Sequence, residues 1–143
     1  MDLRRLVAGA VRTPEDDAPE GASATELAIL ADQLGRSLPP VLKCWLSVCR
    51  GAAIGQGGVF GHRPDDPSHD MVRHLDRHPK WRSLGWLPVA GDGFGNYYVL
   101  AQDGTVGFVD TMLDPGRIEQ HVSNDLLSFM TDMLAADQAL PPG

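Results

Sequence analysis

The apolar positions of this chain recur with two different periods, and the change of period separates helical from extended segments. Leu27, Leu30, Ala31 and Leu34 fall at i, i+3, i+4 and i+7, the spacing of one helix face. Ser23-Ala24-Thr25-Glu26 before them is a capping-box pattern, and Gly35 after them is a helix stop. Pro39 or Pro40 opens a second helix, where a missing N–H costs nothing. Its buried face is Val41, Leu42, Trp45, Val48 and Cys49, and Gly51 closes it. Residues 86–110 change to a strand pattern. Trp86, Leu87 and Val89 lead into the turn Gly91-Asp92-Gly93-Phe94-Gly95-Asn96, a strand follows over 97–101, and Asp103-Gly104 separates it from a strand over 106–110. Asp-Gly between two apolar runs predicts a type I′ hairpin turn, because both central residues of that turn need φ > 0. Val59-Phe60 reads as a short strand between glycines, and a last helix starts near Ser123 and buries Leu126, Leu127, Met130 and Leu134. Helices, then a sheet, then a helix, with no internal repeat, predict an α+β fold with a central, mostly antiparallel sheet.

The ends are read separately. Leu3, Leu6, Val7 and Ala10 share one helical face, and residues 13–22 form an acidic, proline-rich linker too polar for a core. The expected organisation is therefore an N-terminal helix and linker over 1–22, a domain over 23–137, and a flexible tail over 138–143. At 143 residues and 43% hydrophobic, the chain suits one domain with a sizeable core. No window approaches the ~20 apolar residues of a membrane span. The apolar run over 6–11 is short for a secretory segment and is broken by Arg12. A cytoplasmic location, away from the membrane, is expected.

Candidate chemistry is sparse. Cys44 and Cys49, five apart on a helix, diverge by roughly 140° and cannot bridge within it, so both read as buried structural thiols. Residues 61–80 hold four of the five histidines (His62, His69, His74, His78) beside Asp65, Asp66, Asp70 and Asp76. His74 and His78 stand four apart, with Asp70 one turn earlier, which is a possible metal-ligand spacing. No HExxH or CxxC accompanies it, and a solvated, charged segment is the preferred reading; no metal, cofactor or catalytic constellation is assigned. The turn over 91–96 lacks the lysine and the last glycine of a phosphate loop, and it leads into a strand rather than a helix. Asp92 is expected to bond the backbone of that turn. Tyr97 and Tyr98 alternate across a strand, so one of them is a candidate exposed anchor for a partner, and Trp81 and Trp86 pack against the sheet.

Charge bears on the partner. Nineteen acidic residues against twelve basic ones give a net charge of −7. Lysine occurs only at positions 43 and 80, so the clustered cations of a nucleic-acid binder are missing and direct nucleic-acid binding is excluded. An acidic surface accelerates association with a basic partner.

A family resemblance joins these pieces. Leu38-Pro39-Pro40 opening a helix, Arg50-Gly51-Ala52-Ala53 ending it, the run LPVAGDGFGNYYVL over 87–100, TVGFVD over 105–110 and the helix over 126–134 together resemble the SUKH superfamily, the SMI/KNR-type domain. Two positions depart from its usual pattern: Arg50 precedes Gly51 in place of Asn, and Asn96 stands where Asp is common. The resemblance implies a non-enzymatic α+β binding domain, of the kind that serves as bacterial immunity proteins against toxins, often nucleases. The expected function is a cytoplasmic immunity protein, monomeric or weakly dimeric, that binds a basic toxin domain. Asp65, Asp66, Asp70 and Asp76, with Tyr97 or Tyr98, are its candidate contacts. A scaffold or regulatory interaction domain of the same fold is the alternative, and a metal-dependent hydrolase using His74 and His78 ranks third.

Overall fold

The computed structural model describes Arg5, Val7 and residues 21–139. Arg5 and Val7 are helical, and Val7 is buried. The rest of the helix expected over 1–12 lies outside the described residues, as do residues 13–20 of the linker expected over 13–22 and residues 140–143 of the tail expected over 138–143. Ala22 is buried in the core, and Gln138 and Ala139 continue the last helix.

The fold is α+β. Over residues 21–139, the α-helices α1 (Ala24–Leu34), α2 (Pro40–Leu46), α3 (Met71–Asp76) and α4 (Lys80–Leu84) precede the strands β1 (Leu87–Gly91), β2 (Tyr97–Leu100), β3 (Val106–Val109) and β4 (Gln120–Ser123), and α5 (Leu126–Ala139) follows them. Local sequence accounts for α1. The Ser23 hydroxyl accepts from the Glu26 N–H at 3.2 Å while the Glu26 carboxylate accepts from the Ser23 N–H at 3.1 Å. Gly35 ends the helix in the left-handed region at φ 70°. Leu30 and Leu34 are buried, with Leu27 and Ala31 packed beside them. Arg50 pairs with Glu26 at 3.0 Å, so this departure from the family pattern ties the chain after α2 to the start of α1.

Helix α2 is shorter than its apolar pattern. It stops at Leu46 with Ser47 as its cap, four residues before Gly51, and Leu46 joins Leu42, Trp45 and Cys49 in the core. Cys44 is exposed, which corrects the reading of both cysteines as buried; Cys49 is buried.

The sheet is an antiparallel meander of order β1-β2-β3-β4. Its register shifts between Pro88 and Ala90, where proline has no N–H to give the ladder. Residues 58–60 run along the outer edge of β1 through bridges of Val59 to Ala52 and Ala90, rather than as a full strand. The β2–β3 turn also differs from expectation. Gly104 N–H donates to Ala101 O at 3.0 Å, and Ala101 N–H donates to Thr105 O at 2.9 Å. Only Gly104 has positive φ, at 90°, which excludes type I′. The loop is Gln102-Asp103-Gly104, a three-residue connection with glycine in the left-handed position. Asp103 prefers it because its carboxylate accepts from the Thr105 N–H at 3.0 Å and the Thr105 hydroxyl at 2.7 Å. Strand β4 is absent from the apolar pattern: three of its four residues are exposed, and it forms by pairing with β3 at the sheet edge.

Tyr97 and Tyr98 fix the layers. The Tyr97 ring meets Phe60, His74 of α3 and Trp81 of α4, at 5.9, 5.3 and 5.0 Å between centroids. The Tyr98 ring meets Phe108 of β3 at 5.5 Å and Phe129 of α5 at 5.0 Å. Helices thus cover the sheet on both faces, and the core runs through it from Trp45 and Trp81 to Met130 and Leu134.

Candidate functional site

The four aspartates of the 61–80 segment are drawn into its internal bonding. Asp70 is 6% exposed, and its carboxylate accepts from the Arg63 N–H at 2.9 Å. Arg63 is itself buried: its guanidinium donates to Gly51 O at 2.7 Å and pairs with Asp65 at 3.4 Å and Asp66 at 3.9 Å. Asp66 also receives Ser68 N–H at 3.2 Å and faces His69 Nδ1 at 2.6 Å. Burial opposes ionisation of Asp66, but the His69 and Ser68 hydrogen bonds outweigh it and hold the carboxyl below its usual range. Asp76 pairs with Arg82 at 3.2 Å on the surface. Asp65 and Asp76 remain exposed, Asp66 is half-buried, and Asp70 is a structural residue.

The histidines are drawn inward as well. His74 stacks on Phe60 at 3.9 Å between centroids, with Nε2 2.8 Å from Ser68 O and Nδ1 2.8 Å from the Tyr97 hydroxyl. Both ring nitrogens therefore have partners, and ligating a metal through either one means giving a hydrogen bond up. His78 stacks on Trp81 at 4.1 Å, and the Trp81 indole donates to Pro115 O at 2.6 Å. Among the described residues, no group of three or more His, Cys, Asp or Glu side chains is arranged to hold a metal ion. Tyr97, one of the two candidate aromatic anchors, is 6% exposed and belongs to the core. Tyr98 is half-buried beneath α5.

The exposed apolar surface lies elsewhere, at the end of the sheet. Phe94 is 81% exposed on the β1–β2 turn, and Met112 and Leu113, 92% and 74% exposed, follow β3. Both loops are held by hydrogen bonds. Asp92 accepts from Phe94 N–H at 2.7 Å, Asn96 N–H at 3.1 Å and the Asn96 side-chain amide at 2.9 Å, as its place in the turn predicts. Burial opposes its ionisation, but these donors prevail and keep its carboxyl below the usual range. Asp110 accepts from Met112 N–H at 3.0 Å and Leu113 N–H at 3.2 Å. Thr111 joins the two loops: its N–H donates to Asn96 Oδ1 at 3.1 Å and its hydroxyl to Gly95 O at 2.9 Å. Asp110, Asp114 and Glu119 gather beside Leu113 with a single cation, Arg117. The sequence carries a signal for this end, because Met112-Leu113 sits between aspartates in a Pro-Gly turn region where no periodic face can absorb it.

A groove of about 560 Å³ opens beside the same turn, between α5, β4 and the end of β1. One wall is the loop through Gly57. A Cβ there would stand 2.3 Å from the Gly91 carbonyl carbon, so only glycine lets the two backbones lie this close.

An antiparallel sheet covered by helices on both faces, with His74 and His78 packed against it and an exposed apolar end, defines an α+β domain. The chain belongs to the SMI1 / KNR4 family (SUKH-1), whose family model matches residues 21–132. No match is found among curated proteins. No helix among the described residues is long and apolar enough to cross a membrane.

Proposed function

We propose that this chain is a non-enzymatic binding domain that neutralises a basic toxin domain by covering it, as an immunity protein does. The observation that carries the reading is the sheet end. Three large apolar side chains, Phe94, Met112 and Leu113, stand in water on loops fixed by aspartate hydrogen bonds, within an acidic rim. Apolar groups held rigid in water lose little entropy on docking, and a carboxylate rim steers a cationic partner. Family membership and the net charge of −7 support the same reading. Of the contacts proposed from sequence, Asp65 and Asp76 are exposed, Asp66 and Tyr98 are half-buried, and Asp70 and Tyr97 are enclosed.

The test is capture of the tagged chain's partner from its own cells across a salt series, followed by expression of that partner alone and together with this chain. One basic partner that arrests growth alone, is silenced by co-expression and elutes with salt is the expected result. Several weak partners, or a single one that is harmless alone, would sink the immunity reading in favour of a scaffold.

A further inference from the structure

The groove between α5, β4 and the β1–β2 turn has the chemistry of a receptor for a basic side chain. Tyr98, Val122, Phe129 and Met133 give it apolar walls, and among the described residues the only charged groups lining it are two carboxylates, Asp92 and Asp132. Its volume of about 560 Å³ falls in the roughly 300–1,000 Å³ range of sites that enclose a small ligand. That is more room than one side chain fills, so a short stretch of chain fits. Phe129, 7% exposed, forms a floor, while Asp132 is exposed on the rim. Asp92 is fixed by the turn that also presents Phe94, so the groove adjoins the exposed apolar end.

We propose that this groove receives an arginine or lysine of the protein partner, its aliphatic stem lying on Tyr98, Phe129 and Met133 and its charged head between Asp92 and Asp132. The inference rests on the binding reading above and names the site through which it works. Long cationic side chains bury their methylenes on apolar surface while keeping the charge near polar groups, and an aromatic face adds attraction for the cation. Charge complementarity selects the occupant: among the described residues two anions and no cation line the groove, and the protein as a whole is anionic. The Asp92 charge reaches the Tyr98 hydroxyl, which burial first and this carboxylate second push above its ordinary range.

The probe is a capped pentapeptide with arginine between two leucines, titrated into the full chain and followed by backbone amide NMR. Citrulline in place of arginine keeps the shape and removes the charge. The expected result is a set of shifts confined to residues around Asp92, Val122 and Asp132–Met133. Binding should weaken with salt and fall roughly tenfold with citrulline or in Asp132→Lys. Asp132 is exposed on α5, so this variant should keep the wild-type melting temperature, and Asp65→Lys should bind as the parent does. Equal affinity for the citrulline peptide, or no shift at about 10 mM arginine peptide, overturns the proposal. Shifts that map to the Asp65–Asp76 segment remove the groove and leave the binding reading intact. A toxin that binds Asp132→Lys undiminished also removes the groove alone, whereas failure to find a toxin removes the immunity reading alone.

Discussion

Acidification is expected to weaken this fold through His74, in a pH window separate from that of its carboxylates. The ring is 7% exposed and held from both sides. Ser68 O can only accept, so Nε2 carries the proton, and Nδ1 of the neutral ring accepts from the Tyr97 hydroxyl. A second proton would turn that hydroxyl away and leave a charge in the core. Burial is the first cause holding the His74 pKa below its ordinary value; the Ser68 carbonyl opposes it, Arg77 and His69 add to it, and Asp70 opposes weakly. His78 is lowered in the same way, by burial and then by Arg77.

The sign follows from which state takes the proton first. The unfolded chain protonates this histidine near pH ~6.5, above the folded-state value, so stability is full above that pH. It falls as the pH drops further, until the folded ring also protonates. Across that window His74 costs at most about 1.4 kcal/mol per pH unit. His78 adds a smaller amount of the same sign, because water screens a half-buried ring. Glu26, Asp66 and Asp92, whose pKa values are lowered, stabilise above their unfolded values near ~4 and lose that contribution only below them. Urea unfolding at about pH 7.5, 6.5 and 5.5 separates the two windows. His74→Gln keeps a donor for Ser68 and an acceptor for Tyr97 but does not titrate. It should cost roughly 1–2 kcal/mol near neutrality through lost ring packing, and stability should then fall less steeply toward pH 5.5 than in the parent. Equal slopes in the two proteins would refute the assignment.

Three further outcomes follow from named contacts. Asn96→Asp replaces the amide that donates to Asp92 at 2.9 Å with a second carboxylate, and should cost roughly 1–3 kcal/mol at neutral pH. Thermal melts should show that penalty shrinking on acidification, as one of the two adjoining carboxylates takes up a proton and donates it to the other. Gly57→Ala puts a methyl 2.3 Å from the Gly91 backbone and should cost ~1–3 kcal/mol by chemical denaturation, whereas Gly104→Ala, with open space but φ 90°, should cost about 1 kcal/mol. A thiol reagent should modify exposed Cys44 at once and buried Cys49 only as the fold opens; two fast thiols in the native protein would contradict the burial.

What the sequence discloses divides by range. Helix α1 is legible in full because its determinants lie within thirteen residues of one another: the Ser23–Glu26 box, the leucine stripe and Gly35. The hairpin is legible as a hairpin, but its turn type is not, since Asp-Gly also suits a three-residue loop when Thr105 is there to receive the aspartate's hydrogen bonds. Strand β4, with Val122 its one large apolar residue, has no periodicity to read; it is made by β3, a partner more than ten residues away. The alternation of Tyr97 and Tyr98 is legible, but their environments depend on α3, α4 and α5.

The site misleads for a related reason. A run of aspartates and histidines reads as surface because each residue is counted as though it stood alone, whereas Arg63 and Arg82 bind three of these acids and the backbone of Arg63 takes the fourth. The interior takes His74 and stacks His78. Net charge survives such pairing, but its location does not: carboxylates with arginine partners contribute little field of their own. The sheet end and the groove keep theirs, because Asp92, Asp110 and Asp114 bond to backbone N–H groups, which fix the carboxylates without cancelling their charge. A neutral donor organises an anion and leaves it available to a cation. That difference is why acids capping turns, rather than the denser acidic run, are where a basic partner should find its footing.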